Sequence, residues 1–184
     1  SIIMKYDSNH SEALIALETA HRMVTAARTA PKGCGVDKIV ALVLDGEEKK
    51  QLADEMRKLA KLPDIEFCER DAGNVDASHC IVLIGVQNIP LGLNSCGFCG
   101  FGNCVASVKA GSLCAFNTTD LGIAIGSAVS VAADNRVDNR VMFSAGKAAL
   151  ELGLMGDDVT VCFGIHLSTY TKSIFFDRET PPVV

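Results

Sequence analysis

The chain has 184 residues, the usual size of one domain, and 48% of them are hydrophobic, enough to build a sizeable core without disulfide staples. Charged residues make up 21% and the net charge is −5, which leaves neither a basic face broad enough for nucleic acid nor an acidic tail. The apolar stretches are too short, or too rich in Gly and Ser, to cross a bilayer core of roughly 30 Å, and the opening residues lack a secretion signal, so a soluble protein with no membrane partner is expected.

Residues 11–29 place Leu14, Leu17, Ala20, Val24 and Ala27 at helical spacing, with Ser11 positioned as a cap and Pro31 just past the end. After a loop built on Pro31, Gly33 and Gly35, the β-branched run at 39–44 reads as a buried strand ended by Asp45 and Gly46. Residues 47–62 are charged on one side and carry Leu52, Met56 and Leu59 on the other, an amphipathic surface helix. Residues 65–68 read as a short edge strand and residues 80–86 as a second buried strand. Strand, helix, strand predicts a parallel pair with a right-handed crossover.

Residues 87–119 have no periodicity and hold cysteines among glycines, the mark of a long functional loop. Asp120 is placed to cap a helix running to residue 133, whose Gly122, Ala124, Gly126, Ser127 and Ala128 let another backbone come close, as suits a central helix. The doubled Asp-Asn-Arg at 134–140 reads as turn formers and caps in preference to a binding cluster of Asp134, Arg136, Asp138 and Arg140. Residues 141–152 look helical and stop at Gly153, residues 159–165 form a third strand, and residues 173–178 suit a strand or packed arm. Of the lone histidines, His21 is expected on a helix and His166 in the loop after the third strand, while His79 beside Cys80 is the one to suspect as a metal ligand. No Ser/His/Asp series or phosphate-cradling loop points to a hydrolase or an NTPase.

The chemistry sits in the cysteines. Eight are present, and Cys96, Cys99 and Cys104 give C-x2-C-x4-C, with Cys114 nine residues further on. Thiolates select zinc, copper(I) or iron-sulfur clusters over hard cations, and a reducing, cytoplasmic setting follows from reading the group as metal ligands. Gly97, Gly100 and Gly102 let amides turn toward cluster sulfurs while Phe98 and Phe101 shield them, which favours a 4Fe-4S cluster. A tetrahedral all-thiolate zinc site fits the same spacing. Proximity alone makes Cys114 the fourth ligand, with Cys80, Cys68 and Cys34 as alternatives, and Cys162 reads as an inert strand residue.

Five blocks carry a resemblance: residues 26–33 (Ala-Ala-Arg-Thr-Ala-Pro-Lys-Gly), 93–101 around Cys96 and Cys99, 120–128 (Asp-Leu-Gly-Ile-Ala-Ile-Gly-Ser-Ala), 138–142 (Asp-Asn-Arg-Val-Met) and 174–178 (Ile-Phe-Phe-Asp-Arg). Together, and in order over nearly the whole chain, they resemble the prokaryotic family of uncharacterised ferredoxin-domain-containing proteins. The helix ending in Ala-Ala-Arg-x-Ala-Pro and the later Asp-x-Gly-Ile-Ala helix are similar, more distantly, to the flavin-dependent nitroreductases, α+β homodimers that hold FMN at the subunit interface.

That likeness implies an α+β fold, three-layered like an α/β protein, with a nitroreductase-like mixed sheet flanked by helices. Residues 1–184 would form one domain, with residues 87–119 inserted as the metal-binding loop. It implies a homodimer, a redox partner or small electron acceptor, and a flavin near the cluster, with Arg28, Lys32, Lys172 and Arg178 as the cations to test for FMN phosphate contact. The chain departs from the flavin enzymes at residues 7–10 (Asp-Ser-Asn-His), where they carry arginines, and at residues 32–35 (Lys-Gly-Cys-Gly), where they carry an asparagine. The expectation is an iron-sulfur electron-transfer protein, with a zinc-stiffened interaction module and an FMN-dependent reductase as alternatives.

Overall fold

The computed structural model describes residues 5–175. The first helix, α1 (Ser8–Thr29), starts a turn earlier than its apolar spacing suggests, because Asp7 is the cap and accepts the His10 N–H at 2.9 Å. Ser11, the expected cap, lies inside the helix and donates its hydroxyl to the Asp7 carbonyl. At the other end Lys32 Nζ donates to the Ala27 and Ala30 carbonyls at 2.9 and 2.8 Å, satisfying groups that the last helical turn leaves open.

Strand β1 (Ile39–Leu44) and helix α2 (Gly46–Leu59) fall where the sequence places them. The edge strand expected at 65–68 is absent. Turns lead instead into helix α3 (Cys68–Ala77), which buries Cys68, Ala72 and Val75 at helical spacing. This second helix reverses the direction of the chain once more, so β2 (Cys80–Gln87) runs antiparallel to β1, with Ile39 opposite Val86 and Leu44 opposite Ile81. The expected parallel pair is corrected by the helix that the sequence reading missed.

The loop after β2 carries a short helix, α4 (Cys104–Lys109), and then α5 (Ala115–Asp134). Helix α5 begins five residues before Asp120, which is therefore an interior residue and not its cap. The expected turn at 134–140 contains the start of a strand, β3 (Asp138–Met142), followed at once by α6 (Phe143–Glu151) and by β4 (Val159–Ser168). His166, expected in a loop, lies within β4, fully buried and opposite Ile81 and Arg140. Of the tail, Phe175 is buried with its ring edge toward His166, and residues from 176 onward, Arg178 among them, lie outside the described residues.

Among the described residues four strands form one sheet in the order β1-β2-β4-β3, and every pairing in it is antiparallel, so the sheet is not the mixed one expected. Each face of the sheet has its own core. On one side Ala16, Ala20, Met23 and Ala27 of α1 and Leu121, Ala124, Ala128 and Ala132 of α5 cover Val82, Ile84 and Ile165. On the other, Leu52 and Met56 of α2, Val75 of α3 and Ala145 and Ala149 of α6 cover Ile81 and Leu83. The result is the expected three-layer α+β fold. Helix α6 presses hardest on the sheet: a Cβ at Gly146 would sit 1.8 Å from the Cys162 carbonyl oxygen, so only glycine allows that approach.

Candidate metal centre

Strand β2 delivers the chain to the site and the N-terminus of α5 closes it. Asn88, the first residue after β2, is fixed to the sheet by its own N–H on the Asp158 carbonyl at 3.0 Å. Its side chain then grips the far end of the loop, accepting the Cys114 N–H and donating to the Ser112 carbonyl, both at 3.2 Å. Asn103 caps α4 through the Ala106 N–H at 2.8 Å, and the Cys104 N–H reaches back to the Leu93 carbonyl at 3.1 Å. The cysteine segment is thus bracketed at three points.

Between these brackets Cys96, Cys99, Cys104 and Cys114 line a single pocket whose other walls include Leu91, Leu93, Phe98, Phe101 and Phe116. Gly97 and Gly100 turn the loop with φ of 69° and 86°, a conformation that side chains with a Cβ resist, and the Gly100 N–H closes the turn onto Gly97 at 3.0 Å. Phe98 and Phe116 stack nearly parallel, with centroids 5.3 Å apart. All four thiols are free. Among the described residues no three His, Cys, Asp or Glu side chains are grouped tightly enough to hold a single metal ion, so the sulfurs line the pocket walls without meeting at one point. The donor set fits a soft thiophilic centre: four sulfurs and aromatic walls, with Lys109 the one charged residue of the whole 87–119 segment.

Hydrogen-bonding influence from the Ser107 side chain and from the backbone at Phe101 and Cys99 lowers the Cys99 pKa from its ordinary value, against a smaller opposing effect of burial. Three buried cysteines outside the pocket, Cys68, Cys80 and Cys162, behave oppositely. Burial pushes the thiols of Cys80 and Cys162 up to about 12, and Cys68 is raised by burial and by Asp71. Cys80 opens β2 at the end remote from the pocket, roughly 23 Å away at strand rise. His79, next to it, packs on Tyr170 and shares a 3.0 Å hydrogen bond with Thr169. Cys34 is exposed and outside the pocket lining, on a loop whose Gly33 N–H is held by both Asp120 carboxylate oxygens.

Of the cations considered for a flavin phosphate, Arg28, Lys32 and Lys172 are not brought together, and Arg178 lies outside the described residues. Arg28 pairs with Asp37 at 2.8 Å and donates to the Ile39 carbonyl, and Lys32 is spent on the carbonyls ending α1. Lys172 follows Thr169, which bonds the Glu12 carbonyl at the start of α1, some four turns or roughly 24 Å from Arg28. Asn88, Ser107, Ser112 and Phe116 are site residues that the sequence reading passed over. The polar pair Gln87-Asn88 that ends the apolar run of β2 was the available signal for Asn88.

The fold is that of the nitroreductases. A nitroreductase with bound FMN from Desulfitobacterium hafniense superposes with a TM-score of 0.58 at 15% identity, over 100% of this chain and 85% of that one. An NADPH:FMN oxidoreductase from Vibrio harveyi, solved with NAD+, matches with a TM-score of 0.54 at 11% identity over 90% of this chain and 64% of its own. At the level of sequence, residues 110–178 match the family described as "Uncharacterized protein containing a ferredoxin domain". An uncharacterized protein of Archaeoglobus fulgidus is 42% identical over 165 residues, covering 85% of this chain and 88% of the relative. The chain belongs to this ferredoxin-domain family. Among the described residues no helix is long and apolar enough to cross a membrane.

Proposed function

We propose that this protein is an iron-sulfur electron carrier in which Cys96, Cys99, Cys104 and Cys114 hold a 4Fe-4S cluster. The observation that carries the reading is the pocket itself: four thiols from a 19-residue stretch, and no other cysteine of the chain, line one phenylalanine-walled cavity. Such a centre takes one electron from a reduced donor and passes it to an acceptor, and the chain's own work is to hold the thiolates, limit water and present the site. Membership of a ferredoxin-domain family supports the same reading. Phe98 and Val105, each 74% exposed, and Val108 form an apolar rim on which a redox partner or small acceptor can dock.

A homodimer is part of the proposal. The outer face of α5, with Thr119, Gly122, Ile123, Gly126 and Ser130, is exposed and uncharged, and nothing in the protomer comes within 4 Å of a Cβ built at Gly122 or Gly126. FMN is a second reading, supported by the fold shared with an FMN-bound nitroreductase. Arg28, Lys32, Lys172 and Arg178 are the cations to test for its phosphate. A cytoplasmic site of action accords with free thiols.

Anaerobic purification followed by iron, sulfide, zinc and flavin analysis tests the proposal. About four iron and four sulfide per chain are expected, the content that defines the cluster. A colourless protein with one tightly held zinc would replace it with the interaction-module reading, and a yellow protein that keeps its flavin in Cys96→Ser would replace it with a flavin reductase. Sedimentation equilibrium reads the dimer directly.

A further inference from the structure

A groove of about 420 Å³ adjoins the cysteine pocket, walled by Pro90 and Gly92 of the loop after β2 and by Cys104, Val105, Val108 and Lys109 of α4. Residues three and four apart share one face of a helix, so α4 turns Val105, Val108 and Lys109 outward together while Ser107 is buried. Pro90 and Cys104 belong to the walls of both hollows, and Cys104 alone of the four pocket cysteines reaches the groove. Apart from that thiol and Lys109, the side chains of the groove are aliphatic, and Val105 and Val108 are 74% and 59% exposed. Lys109 is exposed and makes no hydrogen bond or ion pair among the described residues.

We propose that this groove binds a small, flat aromatic anion, its ring on Pro90, Val105 and Val108 and its carboxylate or sulfonate on the Lys109 ammonium, and that such a molecule is the electron acceptor of the centre. The acceptor role rests on the electron-transfer reading above and names the class of molecule that reading leaves open. The volume falls within the roughly 300–1,000 Å³ of small-molecule sites, whereas a protein partner needs a face of roughly 800 Å². With no side-chain hydroxyl or amide in its walls, the groove rejects sugars and polyols, whose hydroxyls would lose water without replacement. Lys109 is the one charge of the 87–119 segment, on a chain of net charge −5, so it is there that this segment can hold an anion. An organic molecule that accepts a single electron spreads it over a conjugated ring. A ring seated against Cys104 stands where one electron given up by the reduced centre is received, the centre being oxidised by one and the ring reduced by one.

The test uses the full chain purified anaerobically, its iron and sulfide measured, and three probes of one shape: naphthalene sulfonate, naphthol and naphthylmethylamine, which are anionic, neutral and cationic near neutral pH. The chain has no tryptophan, so naphthalene fluorescence anisotropy reads binding without a protein background. Saturable binding is expected in the order sulfonate, naphthol, amine, with added salt narrowing the gap. Lys109→Gln should weaken the sulfonate about three- to fivefold, the upper range for an exposed ion pair, and leave naphthol unchanged. Val108→Ser should weaken all three probes, and since both side chains are exposed neither substitution threatens the fold. No saturable binding, equal affinity for the three probes, or an unchanged sulfonate affinity in Lys109→Gln overturns the inference. A dimer that Lys109→Glu dissociates in sedimentation also overturns it, by seating a second copy in the groove. Charge-selective binding by a chain that takes up no iron or sulfide upholds the groove while the electron-transfer reading fails. In the reconstituted, reduced protein, naphthalene sulfonate should slow oxidation by anthraquinone sulfonate, and an unslowed rate overturns the acceptor role.

Discussion

Asp120 accepts the backbone N–H of Gly33 with both carboxylate oxygens, at 3.0 and 3.1 Å, across 87 residues of sequence. The contact fastens the loop after α1 to the first turns of α5, and it does so beside the cysteine pocket: a Cβ at Gly33 would lie 3.3 Å from Phe116 and 3.5 Å from Leu91. Asp120→Ala leaves the Gly33 donor unpaired under the pocket wall and is expected to cost about 1–3 kcal/mol, whereas Asp120→Asn keeps one acceptor and costs less. Urea unfolding midpoints rank the three proteins, and amide exchange at residues 33–35 should accelerate in Asp120→Ala first.

Two glycines in helices make opposite predictions. Gly146 of α6 has the Cys162 carbonyl where a Cβ would go, so Gly146→Ala must lift the helix off β4 and is expected to lose about 1–3 kcal/mol or more. Gly73 of α3 is exposed with open space around it, and Gly73→Ala should gain about 0.5–1 kcal/mol from helix propensity alone. Thermal melts of both variants, compared with the wild type, check the sign of each.

These contrasts bear on what the sequence could reveal. The strands at 39–44 and 80–87 were legible because each is an unbroken apolar run that only a buried strand accommodates. Helix α3 was not, since Cys68, Ala72 and Val75 are its only buried apolar residues and charged residues, Asn, Gly and one Ala fill the rest, and with α3 unseen the direction of β2 came out reversed. Strand β3 has no alternation to read: its Asp138-Asn139-Arg140 start suits a turn, and only pairing with β4 makes it a strand. Cys96, Cys99 and Cys104 were legible by their C-x2-C-x4-C spacing and Cys114 by proximity alone. Asn88, which holds the Cys114 N–H, is a residue type found in any loop, and that contact spans 26 residues that no local pattern links.

If the pocket holds the proposed cluster, the aromatic stack over it predicts how that cluster meets oxygen. Phe116, at the start of α5, lies against Phe98, and a pair of this geometry is worth about 0.5–1.5 kcal/mol beyond its buried area. Phe116→Ala is expected to leave Phe98 unsupported and to speed bleaching of the reconstituted protein in air about two- to tenfold, the rate equivalent of that energy. Phe116→Leu, which keeps an apolar wall without the stack, should fall between. Absorbance decay after mixing with air-saturated buffer measures all three, and equal decay rates would mean that the stack does not guard the site.

His166 sets the response of the fold to acid. It is fully buried in β4, with neither ring nitrogen hydrogen-bonded among the described residues and its ring roughly perpendicular to that of Phe175, and burial lowers its pKa from 6.5 to about 3 against a smaller opposing pull from Asp71. Lys49 and Arg140 add to the lowering. In the unfolded chain the ring titrates near its ordinary 6.5, so between that pH and about 3 the unfolded state binds a proton that the folded state refuses. The stability this neutral histidine contributes is therefore complete above pH 6.5 and is lost as the pH falls toward 3, by at most about 1.4 kcal/mol per pH unit. Urea unfolding at pH 7.5, 6.0 and 5.0, values chosen to stay roughly above the ordinary carboxylate range, should show the wild type weakening steadily. His166→Leu should weaken less over the same steps, retaining only the smaller slope due to His79, whose pKa burial also lowers. Parallel slopes for the two proteins would mean that His166 takes up its proton in the folded state as readily as in the unfolded one.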